Sequence, residues 1–359
     1  MAEHDNDVVA YLYAIENDLE NHVSYAAVNS SNNEERHITS RPRRRPLASS
    51  RVHDERSRVE REKTEEPEEY DSLESSPGLV IALSMIPKGE RGTEVGCDPF
   101  ADIWVPNVPG VSHRHFSLTF NDDYFLVVRD LKSATGTTVR YGDQVVGPLV
   151  NSECIVGGSD FLRSADRPIV IQATSRVQFR LVVEPFDPQL KDFRDRVDRY
   201  RAGSAELDDI LEGTGIREPT RLQTAAQTPS DEDVQLKSPL GQGRSSVVYR
   251  VFSVKTGREY ILKEPLDPYD LELWKYRAAS MRLVSHKIKS NIVAFLDSPE
   301  EPRRSLHLEY VGGGTLKGHL QAGRYFSESE RVQVAKQPGC LRRIWAHKIS
   351  FFVRNPELG

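Results

Sequence analysis

Two groups of residues in this sequence have types and spacings suited to holding phosphate. In LGQGRSSVVYRVFSVKTGREYILKEP, Leu240 to Pro265, Gly241, Gly243 and Ser246 take the positions of a G-x-G-x-x-G turn, Val248 follows, and Lys263 lies farther on in YILKEP. Glycine has no Cβ, so the N–H groups of such a turn can approach a phosphate chain, and a following lysine adds a point charge. The second group lies upstream. Ser112 and His115 stand at Ser-x-x-His spacing in GVSHRHFSL, and Thr135 and Gly136 mark a turn in RDLKSATGTTVRYG. A phosphate dianion asks for charge-assisted donors, best an arginine fork with a hydroxyl and backbone N–H groups. Ser112 offers the hydroxyl, and Arg114 and Arg91 are the candidate arginines.

The elements that must position these residues differ between the two groups. From Gly78 to about Asp187, short apolar or alternating stretches recur (GLVIALSMI, ADIWV, FSLTF, YFLVVRDL, IVIQA, VQFRLVVE), separated by turns such as NDD, SATG and VGGSD. Short strands with such turns predict an antiparallel β-sandwich over residues 77–187. Residues 1–76 read as a disordered tail, rich in Ser, Asn, Arg and Glu, with VVAYLYAIENDLE as a short amphipathic helix and RPRRRP, Arg41 to Pro46, as a basic patch. Residues 188–233 read as a linker whose first part, LKDFRDRVDRYRAG, has helical spacing and a glycine stop. A mixed α+β region is expected from residue 234 to 337, and a tail of different texture from 338 to 359.

Composition narrows the function classes. The net charge of −6 is mild and mixed, which argues against direct nucleic-acid binding. Cys97, Cys154 and Cys340 lie far apart without metal-ligand spacing, so neither a zinc site nor a disulfide framework is expected. The N-terminus has acidic flanks rather than the pattern of a signal peptide, and no run has the length of a membrane span. These features predict a protein of the nucleus, the cytoplasm or both, without a membrane partner.

The loop motifs of the sandwich, VGCDPFADIWVP, GVSHRHFSL and RDLKSATGTTVRYG, resemble in order and spacing those of the forkhead-associated (FHA) domain, a family that binds phosphothreonine peptides. The resemblance implies a phosphopeptide site at Ser112, Arg114, Thr135 and Gly136, with Gly96 and His115 in structural roles. It also marks departures. The family's Gly-Arg pair is Gly96-Cys97 here, and the Asn before the turn glycine is Thr135.

The C-terminal region resembles the N-lobe and hinge of a serine/threonine protein kinase, in its glycine-rich turn, YILKEP, NIVAFLD and SLHLEYVGGGTLKGHL. The resemblance implies ATP as ligand, with Gly241, Gly243, Ser246 and Lys263 at the phosphates, Leu240 and Val248 over the adenine, and the Glu309 and Val311 backbone bonding its edge. Here too there are departures. Ile261 replaces the family's small residue before the lysine, and the helix carboxylate that should pair with Lys263 falls near Arg277 or Ser280, with Glu272 out of register. After Gln337 the sequence turns to PGCLRRIWAHKISFFVRNPELG, without His-Arg-Asp or Asp-Phe-Gly. A frameshift, retained intron or misplaced gene boundary would account for so abrupt a break.

The chain is thus expected to be multidomain: an all-β FHA sandwich, then an α+β kinase lobe truncated after the hinge, like the checkpoint effector kinases and related fungal FHA kinases. Its expected function is inactive phosphopeptide binding or scaffolding, with no catalytic residues, no metal site, ATP as the implied ligand and magnesium not expected. The other reading is a genuine ATP-dependent kinase whose C-lobe is missing from this sequence.

Overall fold

The computed structural model describes residues 7–15, 22–40, 76–164, 167–204, 234–243, 245–266, 271–287, 293–297, 305–313, 327–329 and 332. Strand β1 (Val8–Ala14) is followed by helix α1 (His22–Val28), a 3-10 turn (Ser31–Arg36), β2 (His37–Ile38) and β3 (Gly78–Ala82). Next come β4 (Thr93–Gly96), β5 (Ile103–Trp104), β6 (Phe116–Phe120), β7 (Leu126–Asp130), β8 (Thr137–Tyr141), β9 (Gln144–Leu149) and β10 (Glu153–Gly157). Helix α2 (Asp160–Ser164), β11 (Ile169–Thr174), β12 (Val177–Val183) and helix α3 (Lys191–Ala202) follow. The remainder is β13 (Gln235–Gln242), β14 (Ser246–Ser253), β15 (Glu259–Pro265), helix α4 (Leu271–Lys287), β16 (Phe295–Asp297) and β17 (Leu306–Glu309).

The expected sandwich is present. One sheet runs β2-β3-β1-β12-β11-β8-β9 and the other β10-β7-β6-β4-β5. Apolar residues of both, among them Leu12, Ile81, Phe116, Leu118, Val139 and Phe179, share one buried core. All pairings recorded within these sheets are antiparallel except β4 with β5.

The N-terminal segment overturns its expectation. VVAYLYA is neither tail nor helix but an inner strand, with Leu12 opposite Leu79 of β3 on one side and Leu181 of β12 on the other. Every residue from Val9 to Ala14 is buried. A strand covered on both faces reads as a continuous apolar run, which periodicity cannot tell from a buried helix. Gly78 fits beside it because a Cβ there would stand 2.8 Å from the Tyr13 ring. The basic patch at 41–46 lies outside the described residues.

The predicted helix after the sandwich exists as α3, but it is part of the domain rather than a linker. Phe193, Val197 and Tyr200 form a buried stripe at i, i+4, i+7 spacing. Phe120 meets Phe193 and Tyr200 edge-on, each at 5.8 Å between ring centres. The Tyr200 hydroxyl donates to Leu118 O at 3.2 Å and shares a 2.5 Å hydrogen bond with Thr93. Gly203 ends the helix at φ 65.

A third sheet has the order β13-β14-β15-β17-β16. The described residues fall into two compact units, and the boundary differs from the expected start at residue 234. The first unit takes in the strand start before residue 240 and the hairpin Arg250–Glu259; the second holds 240–249 and the chain from Tyr260 onward. Within the first unit that hairpin covers β10, an edge of its sheet. Ile155 N–H donates to Val254 O at 2.8 Å, and Ser159 Oγ donates to Glu259 at 2.9 Å. Phe161 stacks on Phe252 at 5.4 Å. An edge strand leaves N–H and C=O groups unpaired, and here the hairpin takes up part of that edge.

Candidate functional site

The two loops that carry the sandwich's candidate residues meet at one end, and three local constraints bring them there. A Cβ at Gly96 would stand 1.9 Å from His113 O, so only glycine lets β4 run so close to the loop before β6. Just past it, Cys97 N–H donates to Ser112 O at 3.2 Å and Asp98 N–H to His113 O at 3.0 Å. Gly136 has φ 77, in the left-handed region that favours glycine.

His115 ties the loops together from beneath. Its ring is fully buried; Nδ1 accepts from Ser112 N–H at 3.2 Å, so Nε2 carries the proton and faces Gly136 O at 3.3 Å. The resemblance gave His115 a structural role, and its ring lies between the Ser112 backbone and the Gly136 carbonyl. Above it, Ser112 Oγ accepts from Ala134 N–H at 2.9 Å and keeps its own proton for an incoming acceptor. Burial pulls the His115 pKa below the ordinary imidazole value, although Gly136 O and Asp130 act against that. A depressed histidine pKa means that below about pH 6.5 the unfolded chain binds the proton first, so stability falls as pH falls and levels off beneath the folded pKa. Urea unfolding across that range is expected to show this acid-side slope, and His115→Asn to remove its share. An unchanged slope in the variant would rule His115 out as a source.

Two sequence-assigned ligands make contacts within the protein. Thr135 Oγ1 donates to Gly110 O at 3.0 Å, with Ala173 O at 3.3 Å, so its proton is spent within the protein. Arg114 Nε lies 3.1 Å from the buried carboxylate of Glu94, which holds the guanidinium rather than leaving it to a ligand alone. At the position of the family's arginine, Cys97 is 9% exposed, and burial raises its thiol pKa, so it presents a neutral thiol. Arg91 is exposed.

Asp130 organises the second loop and was not singled out by its sequence. It is 1% exposed; Oδ1 accepts from Ser133 N–H (3.2 Å) and Asn151 N–H (3.0 Å), and Oδ2 from Ser133 Oγ (2.6 Å) and Thr137 Oγ1 (2.9 Å). The only signal was an Asp at the end of a strand before a turn, which many loops share. Glu94 escaped notice too, as one acidic residue in a strand.

The second group of candidate residues lies in the second unit. Gly243 N–H donates to Ser246 O at 2.8 Å, closing the turn between β13 and β14. Ser246, at the third glycine position, is buried, and a Cβ at Gly241 would meet nothing within 4 Å. Leu240 and Val311 are exposed apolar side chains, and Val248 is half-buried. Lys263 pairs with Leu306 and Ile261 with Leu308 across β15 and β17, so both side chains share a face. Glu309 N–H is spent on Ala294 O at 2.9 Å, and its carboxylate accepts from Ala294 N–H at 3.1 Å, so this N–H is not offered to a base. Among the described residues no carboxylate pairs with Lys263. Arg277 instead reaches the turn, where Nη1 donates to Ser245 Oγ at 3.3 Å. The side chain of Glu272 and the segments 338–359 and 205–233 lie outside what the structure describes.

A β-sandwich with its candidate site on loops at one end defines the class, and the comparisons with known proteins agree. Residues 93–153 match the family model "FHA domain", so the chain carries an FHA domain. The chain is similar to calcium/calmodulin-dependent protein kinase type II subunit delta of Oryctolagus cuniculus, at 33% identity over 119 residues. That match covers 32% of this chain and 22% of the relative, about a fifth of its length. Among solved structures, Rad53 1-466 in complex with AMP-PNP matches at 17% identity with a TM-score of 0.38, over 76% of this chain and 65% of that one. Titin kinase with its flanking domains matches at 12% identity and a TM-score of 0.23, over 59% and 40%. At these TM-scores neither defines the fold. Among the described residues no helix is long and apolar enough to cross a membrane.

Proposed function

We propose that this chain is a phosphothreonine-peptide reader joined to the nucleotide-side lobe of a serine/threonine kinase, working by binding rather than by phosphoryl transfer. The observation that carries the reading is the arrangement around His115. It binds the Ser112 backbone to the Gly136 carbonyl and so keeps the Ser112 hydroxyl, with a proton to donate, beside the turn. A protein of this kind would act on phosphorylated partners in the nucleus or cytoplasm. With Cys97 in the arginine's place, the phosphate would rest on Ser112, on backbone N–H groups and on what Arg114 can spare from Glu94.

The test is a titration with phosphothreonine and unphosphorylated peptide libraries. Phosphopeptide binding is expected, and Ser112→Ala is expected to weaken it about tenfold through loss of one charge-assisted hydrogen bond. Equal binding of both libraries, or no change in the variant, would remove the site from the argument.

A second reading is an active ATP-dependent kinase to which this chain contributes the reader and the nucleotide lobe. The match to a calcium/calmodulin-dependent kinase subunit favours it. Against it stands Lys263, which has no carboxylate partner among the described residues, whereas phosphoryl transfer calls for a lysine–glutamate pair. Phosphate transfer by the endogenous full-length protein to peptide substrates would establish the second reading, and its absence the first.

A further inference from the structure

A cavity lies in the sandwich at the end away from the recognition loops. β7 carries Asp130 at its recognition end and Leu126 at the other, where Leu126 pairs with Gly157 of β10. There β11 begins only at Ile169, opposite Leu181. Past Leu181, β12 keeps β1 on one side, and among the described residues no strand continues on the other. Gly157 brings the end of β10 against this stretch, because a Cβ there would stand 2.6 Å from Val183 Cγ1. Gly158, at φ 94, turns the chain toward α2. α2, the approach to β11 and the end of β12 bound a cavity of about 290 Å³.

Its walls have two characters. Leu162, Ile169, Val183 and Phe186 supply apolar surface, and Phe186 is fixed by stacking on Phe193 at 4.8 Å. The charged side chains are Arg163, Arg167, Arg180 and Glu184, so three guanidinia and one carboxylate leave two positive charges in excess. Two of the guanidinia are held by uncharged acceptors. Arg163 Nη2 donates to Phe186 O at 3.2 Å. Arg167 donates through Nη1 to Gln144 Oε1 at 3.2 Å and through Nη2 to Lys237 O. Such acceptors fix the plane of a guanidinium without neutralising it, and each arginine has five N–H donors. Arg163 also stands 3.4 Å from Asp160, a carboxylate that is 80% exposed and therefore screened by solvent.

A ligand that satisfies both walls has an anionic head and an apolar body. Two carboxylate oxygens match one guanidinium fork. The volume stands near the ~300 Å³ lower end for ligand sites, which limits the body to a small one. We propose that this cavity is a second binding site, apart from the recognition loops, for a small organic carboxylate with an apolar body. The site stands independently of the phosphopeptide reading.

The experiment is a titration of the methyl-labelled full chain, followed by NMR, with 3-phenylpropionate and with its neutral amide. The acid is expected to shift the methyl signals of Leu162, Ile169 and Val183 and to leave those of Val111 and Ala134 at the recognition end in place. The amide should bind about ten- to a hundredfold more weakly, for want of the charge-assisted hydrogen bonds. Arg180→Met should weaken the acid by a similar factor and leave the amide unchanged; Arg163→Met, at an exposed position, makes the same test should the first variant fail to fold. Leu162→Trp, which fills the cavity, should abolish both. No shift with the acid, shifts at the recognition end instead, or equal binding of acid and amide would overturn the proposal. So would displacement of the acid by equimolar inorganic phosphate, which would make this a site for bare anions.

Discussion

Removing residues 1–15 from the chain is expected to abolish the cooperative unfolding of the sandwich. β1 lies between β3 and β12, so the deletion breaks two ladders at once and leaves facing edges of the same sheet unpaired. Val9, Tyr11, Leu12 and Tyr13 leave the core with it, each of them 5% exposed or less. Burial of a large apolar side chain is worth about 1.5–3 kcal/mol, against a total domain stability of about 5–15 kcal/mol. Four such losses, about 6–12 kcal/mol, together with two broken ladders are comparable to all that a domain of this size holds in reserve. A chain beginning at residue 77, where the sequence placed the sandwich, should fare no better. The single substitution Leu12→Ala is a graded form of the same experiment, with an expected cost of about 2–5 kcal/mol. Circular dichroism melts of the deletion and the substitution provide the check. A cooperative transition at the parent temperature after deletion would mean that β1 is an accessory strand.

That strand is also the clearest case of what the sequence did not disclose. VVAYLYA carries no alternation because both faces are covered, and strands of its sheet lie far along the chain, at Gly78 and Val177. Strands with one polar face, such as Val177–Val183, were legible through their period of two. Helix α3 was legible as a helix, yet its dock was not, because the apolar stripe of Phe193, Val197 and Tyr200 does not name its partner; Phe120 lies in another motif. At the site, Gly96 and Gly136 stand where the backbone calls for glycine, whereas Ser112 and His115 were named through the resemblance alone. Arg114 and Thr135 could be named but not assigned, since their partners, Glu94 and Gly110, are set by tertiary packing. In the second unit, the departure at Arg277 was visible as a missing carboxylate, but the reach to Ser245 required the fold.

Asp130→Ala should be the most damaging substitution at the recognition end. The carboxylate takes two backbone N–H groups and two hydroxyls, and Ser133, Thr137 and Asn151 are drawn to it from three places along the chain. Alanine strands all four donors around a small void, and each buried group left without a partner costs about 1–3 kcal/mol. Hydroxyls can turn toward other acceptors and water can reach part of the loop, so a net loss of about 3–5 kcal/mol is expected by urea unfolding. Asp130→Asn separates the two arms of the network. Its remaining carbonyl oxygen can still accept from the Ser133 and Asn151 N–H groups, while its amide nitrogen faces two hydroxyls that must reverse their protons to accept. An intermediate loss is therefore expected. The functional consequence follows from the same geometry. Ala134, whose N–H holds the Ser112 hydroxyl, sits next to Ser133, so loosening that turn removes both the donor's aim and the backbone beside it. Phosphopeptide affinity of the folded fraction should then fall further in Asp130→Ala than in Ser112→Ala. The reverse order would mean that the turn keeps its shape without Asp130 and that the Ser112 hydroxyl acts alone.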